Sequence, residues 1–308
     1  MAEPVIAVLA ANSYGKADVH LLKVEREGDR HRVRDLTVTT VLSGDFEASY
    51  LDGDNSAVLP TDSQKNTVHA FAADPIGSVE EFGARLARHF AAAHPAVRSA
   101  RVRVEERSWQ RLPVEGLPAA TAFADGGEAV QLAWATVADG RLTVACGLRG
   151  IKVLKTSGSE FHSFLTDRYT TLAPTRDRLL ATEVGARWHC ADGTSAWSKV
   201  RDAVLAHLLE AFAQTHSLAV QQTLFAMGRR VLAGVPEVES IDLRLPNIHH
   251  VPVDLTPFGL EPGNEVFTVF DRPYGVIEGS VRRGAPGAGA AGDADFPSDA
   301  DSPNEESR

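Results

Sequence analysis

Residues 78–95 read SVEEFGARLARHFAAAHP, which contains the start, the apolar face and the end of one amphipathic helix. Ser78 and Glu81 have the spacing of a capping box, in which each side chain bonds the other residue's backbone N–H at a helix start. Pro95 lacks a backbone donor and therefore ends the helix. Apolar residues at helical spacing predict one buried face, formed by Val79, Phe82, Leu86 and Phe90.

A second helix is predicted just before this one, and strands surround the pair. Thr61 and Gln64 repeat the capping-box pattern and place the start of that helix at Thr61. The clearest strand covers residues 32–42, where Leu36, Val38, Thr40 and Leu42 alternate with other side chains. Further strands are predicted at residues 4–10, 17–25, 97–108 and 129–137.

The second half of the chain repeats this order of elements. Strands at 142–154 and 183–190 precede a helix from about Ser198 to Gln214. The next helix begins near Ser217 and ends at Gly234 and Pro236, with its apolar face formed by Val220, Leu224, Met227 and Val231. Four strands complete the repeat, at residues 238–245, 250–255, 264–270 and 274–281.

The repeated pattern predicts an α+β fold of two domains, each an antiparallel sheet with two helices on one face. The predicted domains are residues 1–145 and 146–283, followed by a disordered tail at 284–308 that is rich in Gly, Ala, Pro, Asp and Ser. The uncovered sheet faces and outer strands favour association with further copies of the chain.

Composition indicates a globular protein of the cytoplasm. The 308 residues suffice for about two domains, and no apolar run approaches the ~20 residues of a membrane span. The start of the sequence lacks the pattern of a secretory signal. Cys146 and Cys190 are best explained as reduced thiols, and neither has the neighbours of a zinc site. The net charge of −10, half of it in the tail, and the absence of a basic stripe argue against a nucleic-acid partner.

Polar residues flanked by apolar ones concentrate in four further segments. They lie at Tyr14-Gly15-Lys16, at residues 59–67, at residues 161–178 and at residues 245–249. None of the four is a general catalytic motif when taken alone.

Together the motifs resemble the urate oxidase (uricase) family in order and spacing, across roughly residues 5–282. The matching segments are Tyr14-Gly15-Lys16, Asp54-Asn55-Ser56, Thr61-Asp62-Ser63, Lys65-Asn66-Thr67, Phe161, Tyr169-Thr170-Thr171-Leu172, Asp177-Arg178, Val220-Gln221 with Thr223, Leu245-Pro246-Asn247 with His249, and Asn264-Glu265-Val266-Phe267. The resemblance implies two tandem T-fold (tunnelling fold) domains and a homotetramer around a tunnel, with active sites at subunit interfaces. It also implies oxidation of urate by O2 to 5-hydroxyisourate and H2O2, without metal or cofactor, in purine degradation toward allantoin.

The resemblance assigns substrate-binding roles that suit a flat, anionic purine. Phe161 is the stacking residue, while Arg178 and Gln221 grip the substrate edge and Val220 offers its backbone N–H. Thr61 and Asp62 match residues that reach in from a neighbouring subunit. The residues alone equally allow a core Phe161, an Arg178–Asp177 salt bridge, a solvated Gln221 at a helix start, and an ordinary helix cap at Thr61 and Asp62.

The resemblance also assigns catalytic roles. Lys16, Thr61 and His249 match a proton relay, since an ammonium near a hydroxyl lowers its pKa and a His passes protons near neutral pH. Asn247, with Thr61, matches the group that binds O2 and later water. The ordinary alternatives are an exposed lysine at Lys16, a turn residue at Asn247 and a core histidine at His249. The adjacent His250 could also be confused with His249.

The chain departs from the family pattern at two positions and leaves two other functions open. Pro60 stands where a small apolar residue is usual, and Gln64 where an aliphatic residue is usual. Another T-fold enzyme acting on a pterin is one alternative, although the Cys/His set of a zinc cyclohydrolase is lacking. A purine-binding protein without activity is the other, although all four residues assigned to the relay and to O2 are present.

Overall fold

The structure, a computed structural model, describes residues 6–191, 193–261 and 263–284. Contacts divide the chain into two compact units between Gly147 and Leu148. The predicted domain boundary at 145/146 stays a prediction, because a division by contacts does not tell which segment folds independently. Of the predicted tail, all but Gly284 lies outside the described residues. Among the described helices, none is both long and apolar enough to cross a membrane.

Along the chain of the first unit, two strands precede a group of helices and two strands follow it. The chain forms β1 (Tyr14–Glu27), β2 (Arg30–Gly44), a short α1 (Glu47–Leu51), α2 (Thr61–Ala73), α3 (Val79–Ala93), β3 (Val97–Val114) and β4 (Leu117–Ala138). The strands lie side by side in the order β1-β2-β3-β4, and each neighbouring pair is antiparallel. This arrangement is the predicted sheet of the first unit.

The core of the first unit lies between this sheet and α3. Leu36, Val38, Thr40 and Leu42 are all fully buried, as the alternation in β2 predicts. The three apolar members share one core with the predicted apolar face of α3, and burying an apolar side chain of this size stabilises a fold by about 1.5–3 kcal/mol. The capping box at Ser78 and Glu81 is present, and α3 ends at Ala93, just before Pro95. The helix prediction for residues 78–95 is therefore confirmed.

Two strand predictions in the first unit differ from the structure. Residues 6–13 form no strand, so the prediction of a strand at 4–10 is wrong over its described part. Ile6 and Val8 are exposed, and the first pairing with β2 joins Tyr14 to Leu42. The apolar run therefore lacks the partner strand that β-structure needs. Strands β3 and β4 are longer than predicted because Glu115 and Gly116, both with positive φ, form a two-residue turn between them.

The second unit repeats two strands, two helices and further strands. Its elements are β5 (Arg141–Lys155), which begins before the division at Gly147, β6 (Leu180–Cys190), α4 (Trp197–Gln214), α5 (Val220–Gly234), β7 (Val238–Arg244), β8 (Asn247–Pro252), β9 (Phe267–Gly275) and β10 (Glu278–Arg282). Strand β7 lies between β6 and β10, while β8 pairs with both β6 and β9. The predicted apolar face of α5 is buried, but the helix begins at Val220 instead of near Ser217.

Equivalent lysines cap the first long helix of each unit. Lys23 on β1 donates to three carbonyl oxygens at the end of α2, of Ala72 (2.8 Å), Ala73 (3.1 Å) and Asp74 (2.6 Å). Lys155 on β5 donates to the carbonyl oxygens of Phe212 (3.2 Å) and Thr215 at the end of α4. A cation there satisfies unpaired carbonyls and opposes the negative end of the helix dipole. The two units thus share a local contact as well as an order of elements.

Candidate active site

Lys16 lies next to an irregularity in β1. The register between β1 and β2 shifts between Lys16 and Val19, and Asp18 in the interval has a φ of 53°. Gly15 packs so closely on β2 that a Cβ there would lie 1.8 Å from the carbonyl oxygen of Thr40. Only glycine fits at this position, and the next residue, Lys16, is half-buried opposite Thr40. The bulge thus determines where the Lys16 ammonium can reach.

Helix α2 begins at Thr61, but without the predicted capping box. The N-cap is Pro60, with φ −53° and ψ 140°, and no side chain caps the helix. The prediction of a Thr61–Gln64 box is wrong because proline occupies the capping position and puts Thr61 inside the helix. The Gln64 side chain turns inward instead and bonds Thr40. Since Pro60 provides no side-chain cap, the first N–H groups of α2 lack a cap within the described part of the chain, and the helix dipole makes that end attractive to anions.

Asp62 carries a negative charge beside this helix start. Its carboxylate accepts hydrogen bonds from Lys65 and, at 3.1 Å, from Asn66. The hydrogen bond from Lys65 is the main cause of the lowered pKa of Asp62, and the charge of Lys16 lowers it further. The first unit thus brings together Lys16, Thr61 and Asp62, three of the residues that the family resemblance predicts.

In the second unit, Phe161 and Arg178 lie against each other. The guanidinium carbon of Arg178 is 5.0 Å from the Phe161 ring centroid. Phe161 and Thr175 exchange two backbone hydrogen bonds, and the Arg178 backbone N–H donates to Ser159 O at 3.0 Å. The Phe161 ring also stacks on Phe164, with centroids 4.9 Å apart and planes at 16°. The motifs do not single out Phe164, for which the only signal is an aromatic residue three positions after Phe161.

Arg178 is a partly buried cation without a carboxylate partner in the described part of the chain. Its Nε is buried and has no hydrogen-bond partner there, and burial lowers the pKa of the guanidinium. The alternative of an Arg178–Asp177 salt bridge is wrong, since the Asp177 carboxylate accepts from Ser157 Oγ at 3.4 Å and no ion pair joins these two described residues. An unpaired polar atom in a buried cation costs free energy unless a ligand satisfies it. Arg178 is therefore suited to bind an anion.

The start of α5 is tied to the Phe161 segment. The chain before α5 exchanges backbone hydrogen bonds with it, from Ser217 N to Gly158 O (2.9 Å) and from Glu160 N to Ser217 O (2.7 Å). Inside the bend, the buried Thr223 hydroxyl donates to Ser217 Oγ at 2.8 Å. No side chain caps α5, so the N–H groups of its first residues, Val220 and Gln221, are open to a partner. These contacts bring Phe161, Arg178, Val220 and Gln221 into one part of the second unit.

Asn247 and His249 lie on β8. The Asn247 amide nitrogen is 3.4 Å from His249 Nδ1, and the Thr182 hydroxyl anchors the preceding Pro246 by donating to its carbonyl oxygen at 2.8 Å. His249 is exposed, so the alternative of a core histidine is wrong. Adjacent His250 instead bonds the backbone oxygen of Ile248 at 3.1 Å. Contact with Asn247 therefore distinguishes His249 from His250, which the sequence could not do.

A second charged cluster, which the motifs do not indicate, lies next to Phe161. Glu160 is 2.6 Å from His216 Nε2 and 2.9 Å from His162 Nε2. These hydrogen bonds, that of His216 first, hold the pKa of Glu160 below its usual 4.5. The Glu160 carboxylate thereby links His162, which follows Phe161 in the chain, to His216, which precedes α5.

Glu160→Gln is expected to lower the melting temperature at neutral pH, with a difference from wild type that shrinks in acid. A carboxyl with a depressed pKa contributes stability above its unfolded-state pKa, near 4.5 here, and that stability is lost as the pH falls through the folded-state pKa. Thermal melts from about pH 7 to about pH 3.5 measure the difference. A gap between variant and wild type that stays constant over this range would contradict the expectation.

The fold and these side chains define a tandem T-fold protein of the α+β class. A family model described as Uricase matches residues 12–133 and 144–278. The chain belongs to the uricase family. A uricase of Arthrobacter globiformis is 45% identical over 276 residues, which cover 90% of each chain. A uricase of Dictyostelium discoideum is 36% identical over 282 residues, 90% of this chain and 98% of the relative. The crystal structure of the Arthrobacter globiformis uricase matches with a TM-score of 0.87 at 44% identity, covering 94% of this chain and 98% of that one.

Proposed function

We propose that the protein is a cofactor-free urate oxidase that converts urate, O2 and water to 5-hydroxyisourate and H2O2. Family membership supports the activity, and one structural observation supports the site. A partly buried guanidinium with an unpaired Nε lies against an aromatic ring, next to the uncapped start of α5. A flat, anionic purine supplies the negative charge, the aromatic face and the hydrogen-bond acceptors that this arrangement lacks.

In the proposed complex, urate stacks on Phe161 and its edge is bound by Arg178 and Gln221. The forked guanidinium matches a carbonyl oxygen beside a ring nitrogen, which a single ammonium would match less well. Val220 donates its backbone N–H at the helix start. Phe164 stacks on the Phe161 ring and so limits its rotation.

The proposed site is completed by a second copy of the chain, within a homotetramer. Thr61 and Asp62 of that copy bring the open N–H groups at the start of α2 to the substrate. Several large apolar side chains are exposed in the single chain and are available for burial between copies. They include Tyr169, Leu172, Phe225, Phe258 and Val269.

The proposed reaction uses urate itself as the electron donor. Lys16, Thr61 and His249 form the relay that removes a proton from urate and returns protons to reduced oxygen. Asn247, with Thr61, holds O2 above the ring and then the water that attacks the oxidised ring. Two electrons and two protons pass to O2, giving H2O2, and water supplies the new hydroxyl of 5-hydroxyisourate.

The wider role is degradation of urate in the cytoplasm, toward allantoin. Cys146 and Cys190 are not joined by a disulfide, which agrees with a reducing compartment. The acidic net charge supports a function without a nucleic-acid partner, and nothing in the proposed reaction calls for a membrane.

A spectrophotometric assay on protein stripped of metal tests the proposal. We expect loss of urate absorbance, with one O2 consumed and one H2O2 formed for each urate. The same protein assayed with excess chelator serves as control and is expected to be equally active. Binding of urate without its consumption would support the inactive purine-binding protein, and turnover of a pterin alone would support the other T-fold alternative.

A further inference from the structure

A buried pair of polar side chains lies behind the catalytic part of the first unit. Gln64 and Thr40 are both fully buried, and the Thr40 hydroxyl donates to Gln64 Oε1 at 2.7 Å. The Gln64 amide nitrogen faces Leu59 O at 3.5 Å. The surrounding core is otherwise apolar, with Val38, Val68 and Leu42 fully buried.

Each partner of this hydrogen bond is attached to one member of the proposed relay. Gln64 lies in the first turn of α2, three residues after Thr61. Thr40 is the residue of β2 that pairs with Lys16 on β1. The hydrogen bond therefore connects the start of the helix that carries Thr61 to the strand position opposite Lys16.

A second contact holds the same segment. The hydroxyl of Tyr14, two residues before Lys16, accepts from the Leu59 backbone N–H at 2.9 Å. Burial raises the pKa of this hydroxyl, so it stays neutral. The loop that enters α2 is thus fixed to β1 at one point and to β2 at another.

Stability alone does not account for the buried pair. A hydrogen bond between buried neutral groups contributes little beyond what two apolar groups of the same shape contribute. It is directional, however, so it allows one position of the helix along the sheet where apolar contacts tolerate sliding. We propose that Gln64, through Thr40, is a positioning residue that holds Thr61 in register with Lys16. This inference rests on the proposed function, because it assigns a role within the proposed relay.

The test is the double variant Thr40→Val with Gln64→Leu, which removes both polar groups and keeps their shape. We expect kcat for urate to fall about 10- to 100-fold, since small displacements of reacting groups have effects of this size. The affinity for an unreactive xanthine, measured by calorimetry, is expected to change less than about threefold, because the Phe161 ring and Arg178 are unaltered. A kcat equal to that of wild type would overturn the proposal.

A control variant separates positioning from general loosening of the core. Val68→Ala, one turn further along α2, opens a cavity in the same core and is expected to lower the melting temperature while leaving kcat unchanged. A fall of kcat in Val68→Ala as large as in the double variant would mean that general loosening, not the hydrogen bond, is responsible.

If the double variant does not fold, single replacements of Thr40 give the answer. Thr40→Ser keeps the hydroxyl and is expected to retain the wild-type kcat. Thr40→Val lacks the hydroxyl and is expected to have a lower kcat. Equal kcat values in these two variants would overturn the proposal. Wild-type protein is assayed first. Its failure to oxidise urate would overturn both the proposed function and this inference, whereas an active wild type with an unimpaired double variant would overturn this inference alone.

Discussion

Lys16→Met is expected to lower kcat for urate by about 10²- to 10⁴-fold, the usual contribution of a positioned acid or base. The methionine side chain is close in length to lysine and lacks its charge, so the bulge between Lys16 and Val19 stays intact while the relay loses its ammonium. Binding of an unreactive xanthine is expected to change less than about threefold, because Lys16 is assigned to proton transfer and not to the substrate edge.

Single-turnover absorbance measurements and calorimetry separate the two effects. Lys199→Met, at an exposed position in the first turn of α4, is the matched control and is expected to retain full activity. Weak binding of the xanthine by Lys16→Met, combined with normal turnover of bound urate, would contradict the assignment of Lys16 to proton transfer.

Arg178→Met is expected to lower kcat/KM for urate by about 100-fold and not to lower the melting temperature of the unliganded protein. Hydrogen bonds to a charged group contribute about 1.5–3 kcal/mol each, and the purine edge loses more than one of them. The folded protein, in contrast, loses only a desolvated cation whose Nε is unpaired. Loss of function without loss of stability is typical of a group held for a ligand.

Steady-state kinetics and thermal melts test this pair of effects. Arg230→Met is the matched control, because Arg230 is paired with Glu210, 2.6 Å away, on the packed helices α4 and α5. That variant is expected to keep kcat/KM. If Arg178→Met were instead unstable and still bound urate normally, Arg178 would have a structural role.

The two predicted capping boxes show where a short sequence pattern predicts a helix start correctly and where it does not. Ser78 with Glu81 and Thr61 with Gln64 have the same spacing, yet only the first forms a box. Pro60 makes the difference, because proline as the N-cap moves Thr61 into the helix. The Gln64 amide oxygen then accepts a hydrogen bond from Thr40 on β2. Thr40 is distant in sequence, so a four-residue pattern does not predict this contact.

Strands were predictable where both the pattern and a partner exist. The alternation from Leu36 to Leu42 is confirmed because β1 and β3 lie on either side of β2. The apolar run at residues 6–10 has a similar composition but pairs with no strand in the described part of the chain. Pairing is a tertiary property, and composition alone does not determine it.

The candidate site was predictable only through the order of its motifs. The types and spacing of Phe161 and Arg178 carry no signal that the two side chains are in contact, since Arg178 approaches through a bend closed at Thr175. Phe164 and Glu160 belong to none of the matching motifs. Their roles are evident only from their contacts in the structure, which are with the Phe161 ring and with His216 respectively.

Helix α2 of the first unit and helix α5 of the second each begin at residues that the proposed function assigns to urate binding, and neither N-cap residue provides a side-chain cap. A good cap stabilises a helix by about 1 kcal/mol, so both helices forgo a stabilisation that α3 has from Ser78. In the proposed complex, bound urate takes over this task for two helices from two different copies. In this proposed complex the substrate is itself a helix cap, so bound urate raises the free energy of unfolding of the copies that bind it.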